Sequence, residues 1–190
     1  MSRSLGLAHL TIEEASPEDL VEAAARAGFA AVGMRICGFA PEADAVGLIG
    51  DRRRRRALRR RIDDAGLALL NVCSFRLTEG IDAAAYDPVI EVCAELGAPV
   101  LLLTCFLADS TARADLLAAL AGRAAGSGVR VGLEFFRSSA LRSLDEAETL
   151  RRPLAGRVGH VLDALHVFRA GHAVADLAAL DPASILGIQI

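Results

Sequence analysis

The sequence predicts an α/β fold, a parallel (β/α)8 barrel that is incomplete in this chain, and three observations carry that prediction. Short aliphatic runs alternate with amphipathic helix patterns from end to end, which implies parallel strands joined by right-handed crossovers. No G-x-G-x-x-G follows the first strand, which disfavours an open dinucleotide-binding sheet. Glu134, Asp163 and Gln189 each close an aliphatic run, and the C-terminal ends of barrel strands are where active sites are built.

Taken in order, strands are expected at about 5 to 12, 31 to 36, 67 to 74, 99 to 105, 129 to 136, 158 to 163 and 186 to 190. Helices are expected between them at about 17 to 27, 51 to 65, 84 to 96, 110 to 125, 143 to 151 and 173 to 180. Ser16-Pro17-Glu18-Asp19 is a helix start: a capping hydroxyl, proline at the first helical position and acids facing the dipole. Gly28, Gly66 and Gly97 are the matching stops. About seven strands and six helices fall short of the eight units of a full barrel, so residues 1–190 are expected to form a single barrel domain lacking its last one to two βα units.

Composition narrows the chemistry. The chain is 53% hydrophobic, so it is globular, and its longest apolar stretches, such as Pro99 to Leu103, are far too short for a membrane span. No secretory leader follows Met1, so a cytoplasmic protein with no membrane partner is expected. All 21 basic residues are arginine. Without lysine, a Schiff-base aldolase, a pyridoxal enzyme or a P-loop nucleotide site cannot be built. Cys37, Cys73, Cys93 and Cys105 form no C-x-x-C pair and read as small buried hydrophobes, three on strands and one on a helix.

The run from Asp51 to Arg61 reads as an outer helix: Val46, Ile49, Leu58 and Ile62 keep an apolar stripe while the arginines fill a solvated face. No aromatic residues are interleaved for base stacking, and the net charge is −3, so no nucleic-acid partner is expected.

Along a strand, side chains alternate faces. Glu134 therefore shares a face with Gly132, Asp163 with Val161 and Gly159, and Gln189 with Gly187, while Val131, Leu133, Phe135, Leu162, Leu186, Ile188 and Ile190 point the other way. Three oxygen donors converging in one mouth suit a hard or borderline divalent cation, Mn²⁺ or Mg²⁺ ahead of Co²⁺ or Zn²⁺. His166, three residues beyond Asp163, fits a substrate-binding or proton-shuttling group. Arg35, Ser74, Thr104, Arg137 and Arg169 stand near predicted strand ends as candidate substrate contacts.

Leu7-Ala-His-Leu-Thr11, Ser-Pro-Glu-Asp-Leu20, Ala-Gly-Phe29, Val32-Gly-Met-Arg35 and Glu95-Leu-Gly-Ala98 lead to two more specific segments, Val131-Gly-Leu-Glu-Phe-Phe136 and Val161-Leu-Asp-Ala-Leu-His-Val-Phe-Arg-Ala-Gly171. On these the chain resembles the xylose isomerase-like barrel superfamily, in its sugar phosphate isomerase and epimerase branch, related to endonuclease IV and 3-dehydroshikimate dehydratases. The resemblance implies that Glu134 and Asp163 are metal ligands, that His166 contacts substrate, and that Gln189 takes the strand-seven ligand position, as in the dehydratase branch. It also implies a strand-eight glutamate, which this sequence does not contain.

The resulting expectation is a divalent-metal-dependent isomerase or epimerase of a small polyhydroxylated carbonyl compound, acting through an enediolate. Glu134 and His166 would be catalytic, with Arg35, His166 and Arg169 binding substrate. Two alternatives accompany it: a metal-dependent dehydratase, and a non-catalytic partial barrel whose unclosed edge binds a partner or forms a homo-oligomer.

Overall fold

The computed structural model describes residues 5–190. Seven parallel strands lie side by side in chain order: β1 (Gly6–Ala8), β2 (Ala31–Arg35), β3 (Ala68–Leu77), β4 (Val100–Cys105), β5 (Arg130–Glu134), β6 (Val158–Asp163) and β7 (Ile185–Gln189). β1 and β7 each have one strand neighbour among the described residues, so the sheet is an unclosed arc of a (β/α) barrel. Helices α1 (Pro17–Arg26), α2 (Arg52–Asp64), α3 (Asp87–Leu96), α4 (Ser110–Ala125) and α5 (Leu144–Arg151) join the strands, with the short α6 (Ala164–Arg169) and α7 (Val174–Leu177) between β6 and β7.

The helix boundaries follow their local chemistry. Ser16 Oγ accepts from the Asp19 N–H and Pro17 opens α1, while Asp51 caps α2 and Asp109 caps α4 in the same way. Gly28, Gly66 and Gly97 end the first three helices with positive φ, which glycine adopts without strain. The long run of hydrophobic side chains on the outer face of the sheet, Val32, Met34, Val72, Phe75, Leu101, Leu103, Val131 and Leu133 among them, packs beneath the helices as the main core. A second, smaller cluster fills the concave face: Val100, Leu102 and Val161, with Cys73 and Leu186 packed against it.

Several expectations need correction. The first strand is only three residues long; His9–Ile12 turns into a 3-10 helix, and the His9 ring contacts the Ala15 carbonyl and accepts the Arg35 N–H. Asp163 caps a further short helix, α6, that periodicity did not signal, and the last helix shrinks to Val174–Leu177. Val46 and Ile49 precede α2 and pack on the core from a loop, and Cys37 lies beyond the end of β2. Leu186 was expected to face outward; a register shift against β6 between His160 and Val161 turns it onto the concave cluster instead. β3 runs on to Leu77, with a shift against β4 between Val72 and Phe75.

The arginine-rich helix is less solvated than expected. Arg55 is buried, donating to Glu95, Glu91 and the Leu48 and Ile49 carbonyls, and Arg54 forks onto Glu18. Arg53, Arg56 and Arg60 are exposed, as the solvated-face reading requires.

Glycine contacts supply a direct test. A Cβ on Gly159 would stand 2.5 Å from the Ser184 carbonyl oxygen, whereas one on Gly122, inside α4, meets nothing within 4 Å. Gly159→Ala should therefore force β6 and β7 apart and destabilise the fold by about 1–3 kcal/mol. Gly122→Ala should stabilise it by about 1 kcal/mol through its helix propensity. Thermal melts of the two variants check both signs.

Candidate functional site

Parallel strands deliver their C-terminal ends to one rim, and the register places the polar groups there. Thr104 pairs with Glu134 across β4 and β5, and Asp163 with Gln189 across β6 and β7. Gly132, one turn of the pleat before Glu134, faces Val100 and Val161 of the concave cluster, and Gly187 faces Val161, so Glu134, Asp163 and Gln189 share that face.

One carboxylate oxygen each from Glu134 and Asp163 and one ring nitrogen of His166 all lie within 4.8 Å of one another. His166 Nε2 is 3.9 Å from Glu134 Oε1. The local fold sets this distance. Asp163 Oδ1 accepts the His166 N–H, capping α6, and that single helical turn brings the imidazole back over the strand end. The imidazole stacks on Phe136, ring centroids 5.1 Å apart and 31° from parallel.

The site carries uncompensated negative charge. Glu134 is only 9% exposed, and neither it nor Asp163 is paired with an arginine among the described residues. Burial, and then the Asp163 carboxylate, push the Glu134 carboxyl up to about 7. Glu148 shows the reverse case. Arg151 and His160 hydrogen-bond to it and hold it down at about 2. A partly buried pair of adjacent carboxylates with an imidazole in reach and no arginine partner among the described residues is a donor set that a divalent metal fits.

The other candidates divide. Arg35 is at the mouth, but its guanidinium is committed to Glu13 and to the Cys37 carbonyl, lining a cleft of about 410 Å³ with His9 and Arg54. Thr104 is buried and donates to the Phe75 carbonyl. Arg137 donates to the Arg169 carbonyl, and both arginines are exposed. The sequence reading missed Arg76, whose guanidinium lies over the rings of both Phe39 and Phe106, and the contact of Phe106 with Phe136 that continues this arc to His166. Only the Phe135-Phe136 pair hinted at it. Among the described residues no helix is long and apolar enough to cross a membrane.

No protein-family model matches the chain, and no curated protein does. Solved structures do. The IolI protein with a bound zinc atom is 18% identical, with a TM-score of 0.81 over 98% of this chain and 72% of its own. A xylose isomerase-like TIM barrel/4-hydroxyphenylpyruvate dioxygenase fusion protein is 22% identical, with a TM-score of 0.77 over 96% of this chain and 30% of its own. A sugar phosphate isomerase/epimerase from Parabacteroides distasonis is 13% identical at a TM-score of 0.68, covering 97% and 73%. These likenesses bear out the xylose isomerase-like TIM-barrel fold read from the sequence, and the chain spans under a third of the fusion protein and under three quarters of the other two.

The charge balance predicts a pH dependence. In the metal-free protein Glu134 has a higher proton affinity folded (about 7) than the ordinary 4.5. Between those values the folded chain binds more protons than the unfolded one, so the Glu134 contribution to stability falls as pH rises through that window. Glu134→Gln should therefore raise the melting temperature at pH 8, by an amount equivalent to roughly 2–3 kcal/mol, and change it little at pH 4. A lower melting temperature for the variant at pH 8 would show that the carboxylate is already compensated.

Proposed function

We propose that this protein is a divalent-metal-dependent isomerase or epimerase of a small polyhydroxylated carbonyl compound. The observation that carries the reading is the juxtaposition of Glu134, Asp163 and His166 at the strand ends with no arginine among the described residues to neutralise the two acids. The zinc atom of the similar IolI structure supports it. Glu134, Asp163 and Gln189 would hold the ion, which when bound would polarise a carbonyl and its neighbouring hydroxyl and so lower the cost of enediolate formation.

The chain's own residues would do the rest. Glu134, buried on the concave face, would take up the proton from the hydroxyl-bearing carbon next to the carbonyl and return it to the former carbonyl carbon, while the hydroxyl proton passes to the former carbonyl oxygen. His166, fixed by the α6 turn and by Phe136, holds a substrate hydroxyl and exchanges its proton. The Phe136, Phe106 and Phe39 rings line one side of the mouth and limit water there. Gln189 favours a second reading on the same proton abstraction: loss of water β to the carbonyl, the reaction of the dehydratase branch that the sequence resembles at that position.

Calorimetric titration of chelator-treated protein with Mn²⁺, Mg²⁺, Co²⁺ and Zn²⁺ should give one site per chain. Asp163→Asn should weaken binding by about tenfold or more, while His166→Ala should reduce turnover more than metal affinity. Incubation of candidate sugars in deuterated water separates the reactions: solvent deuterium in a product of unchanged formula supports isomerisation, and loss of the mass of one water supports the dehydratase. Full activity in a demonstrably metal-free preparation would remove the mechanism.

A further inference from the structure

The arginine that sequence reading overlooked is the unusual cation of the mouth. Arg76 Cζ lies 3.5 Å from the centroid of the Phe39 ring and 4.5 Å from that of Phe106. The guanidinium carbon thus lies over two aromatic rings, at distances where cation–π attraction operates. Its N–H donors, which lie in the guanidinium plane, make no hydrogen bond and no ion pair among the described residues. Several other arginines are paired with acids: Arg54 with Glu18, Arg55 with Glu95, Arg59 with Asp63 and Arg151 with Glu148. Even Arg35, which also approaches the Phe39 ring, at 5.1 Å, is satisfied by Glu13.

The placement points at the same ligand space as the acids. Arg76 pairs in register with Thr104, and Thr104 with Glu134, so the three stand in a row across β3, β4 and β5. With neighbouring strands about 4.8 Å apart, Arg76 and Glu134 start roughly 10 Å from each other at the backbone. A short-chain ligand fills such a gap. Phe39 is 47% exposed, so the stacked guanidinium sits at the rim where a ligand can reach it.

We propose that Arg76 is an oxyanion anchor, and that the substrate carries a carboxylate or phosphate at the end remote from its reacting carbonyl. A guanidinium held by two rings with its N–H donors uncommitted keeps its planar fork free to take two oxygens of one oxyanion, and aromatic walls limit the water that would compete. The proposal rests on the isomerase reading for what stands at the opposite end of the substrate, but the anion site itself does not need the metal.

The test compares charged and neutral partners by calorimetry at low salt: ribose 5-phosphate against ribose, and quinate against its methyl ester, with chelated and with metal-loaded protein. Wild type should bind at least one anion about tenfold or more tightly than its neutral counterpart, the worth of one charge-assisted hydrogen bond. The pair that discriminates tells phosphate from carboxylate. Arg76→Gln should abolish the preference while leaving metal affinity unchanged. Should Arg76→Gln melt below the assay temperature, Arg76→Lys replaces it: a point charge without the stacked fork should lose most of the preference. Equal binding of charged and neutral members, no binding of either, or an undiminished preference in the variants would overturn the proposal. A chelated protein that keeps the preference yet takes up no metal on titration would support the anchor and contradict the metal reading, so the two can fail separately.

Discussion

The structure turns on two acids left beside each other without a cation. Glu134 is buried, Asp163 faces it from the next strand, and the arginine-rich chain places no arginine against either among the described residues. Burying a carboxylate costs several kcal/mol unless it is paired or neutralised. The same chain neutralises Glu148, Glu95 and Glu18 with arginines, and their proton affinities fall accordingly. At Glu134 the opposite happens. A site that holds this charge in readiness gains from whatever cation it is built to receive, and the surrounding packing bears the cost.

That packing explains how the charge is held in place. The concave cluster of Val100, Leu102 and Val161 fills the arc below the acids, and Gly132 is needed because Val100 and Val161 occupy the space its Cβ would take, each 2.8 Å away. Above the cluster, α6 is no longer than one capping interaction requires, yet it returns His166 to the strand end. The aromatic arc from His166 through Phe136 and Phe106 to Phe39 then ties the loops after β5, β4 and β2 to one another. Arg76 bridges Phe106 and Phe39 in this arc, and the negative pair stands at the His166 end.

Much of this was legible in the sequence, for reasons that can be named. Glu134 and Asp163 close short, largely aliphatic strands with no register slip between β4, β5 and the start of β6, so alternation gave their face, and Gly28, Gly66 and Gly97 marked helix ends because each takes a positive φ. Alternation failed where the register slips. The shift between Val72 and Phe75 re-aims Arg76 onto the face of Thr104, and the shift beside Val161 turns Leu186 inward; neither leaves a mark in a pattern of apolar and polar letters. α6 was missed because one side-chain cap, and not periodicity, defines it. Arg35 illustrates a different limit: its position at a strand end was right, but its partner Glu13 comes from a turn whose course no local pattern fixes.

Crystals soaked in Mn²⁺ or Zn²⁺ and measured at the metal's absorption edge would address the central claim by position. The account predicts one strong anomalous peak within about 2.0–2.6 Å of oxygens of both Glu134 and Asp163. A soaked crystal with no density between those carboxylates, or with its metal bound elsewhere while the two acids keep their present separation, would contradict it.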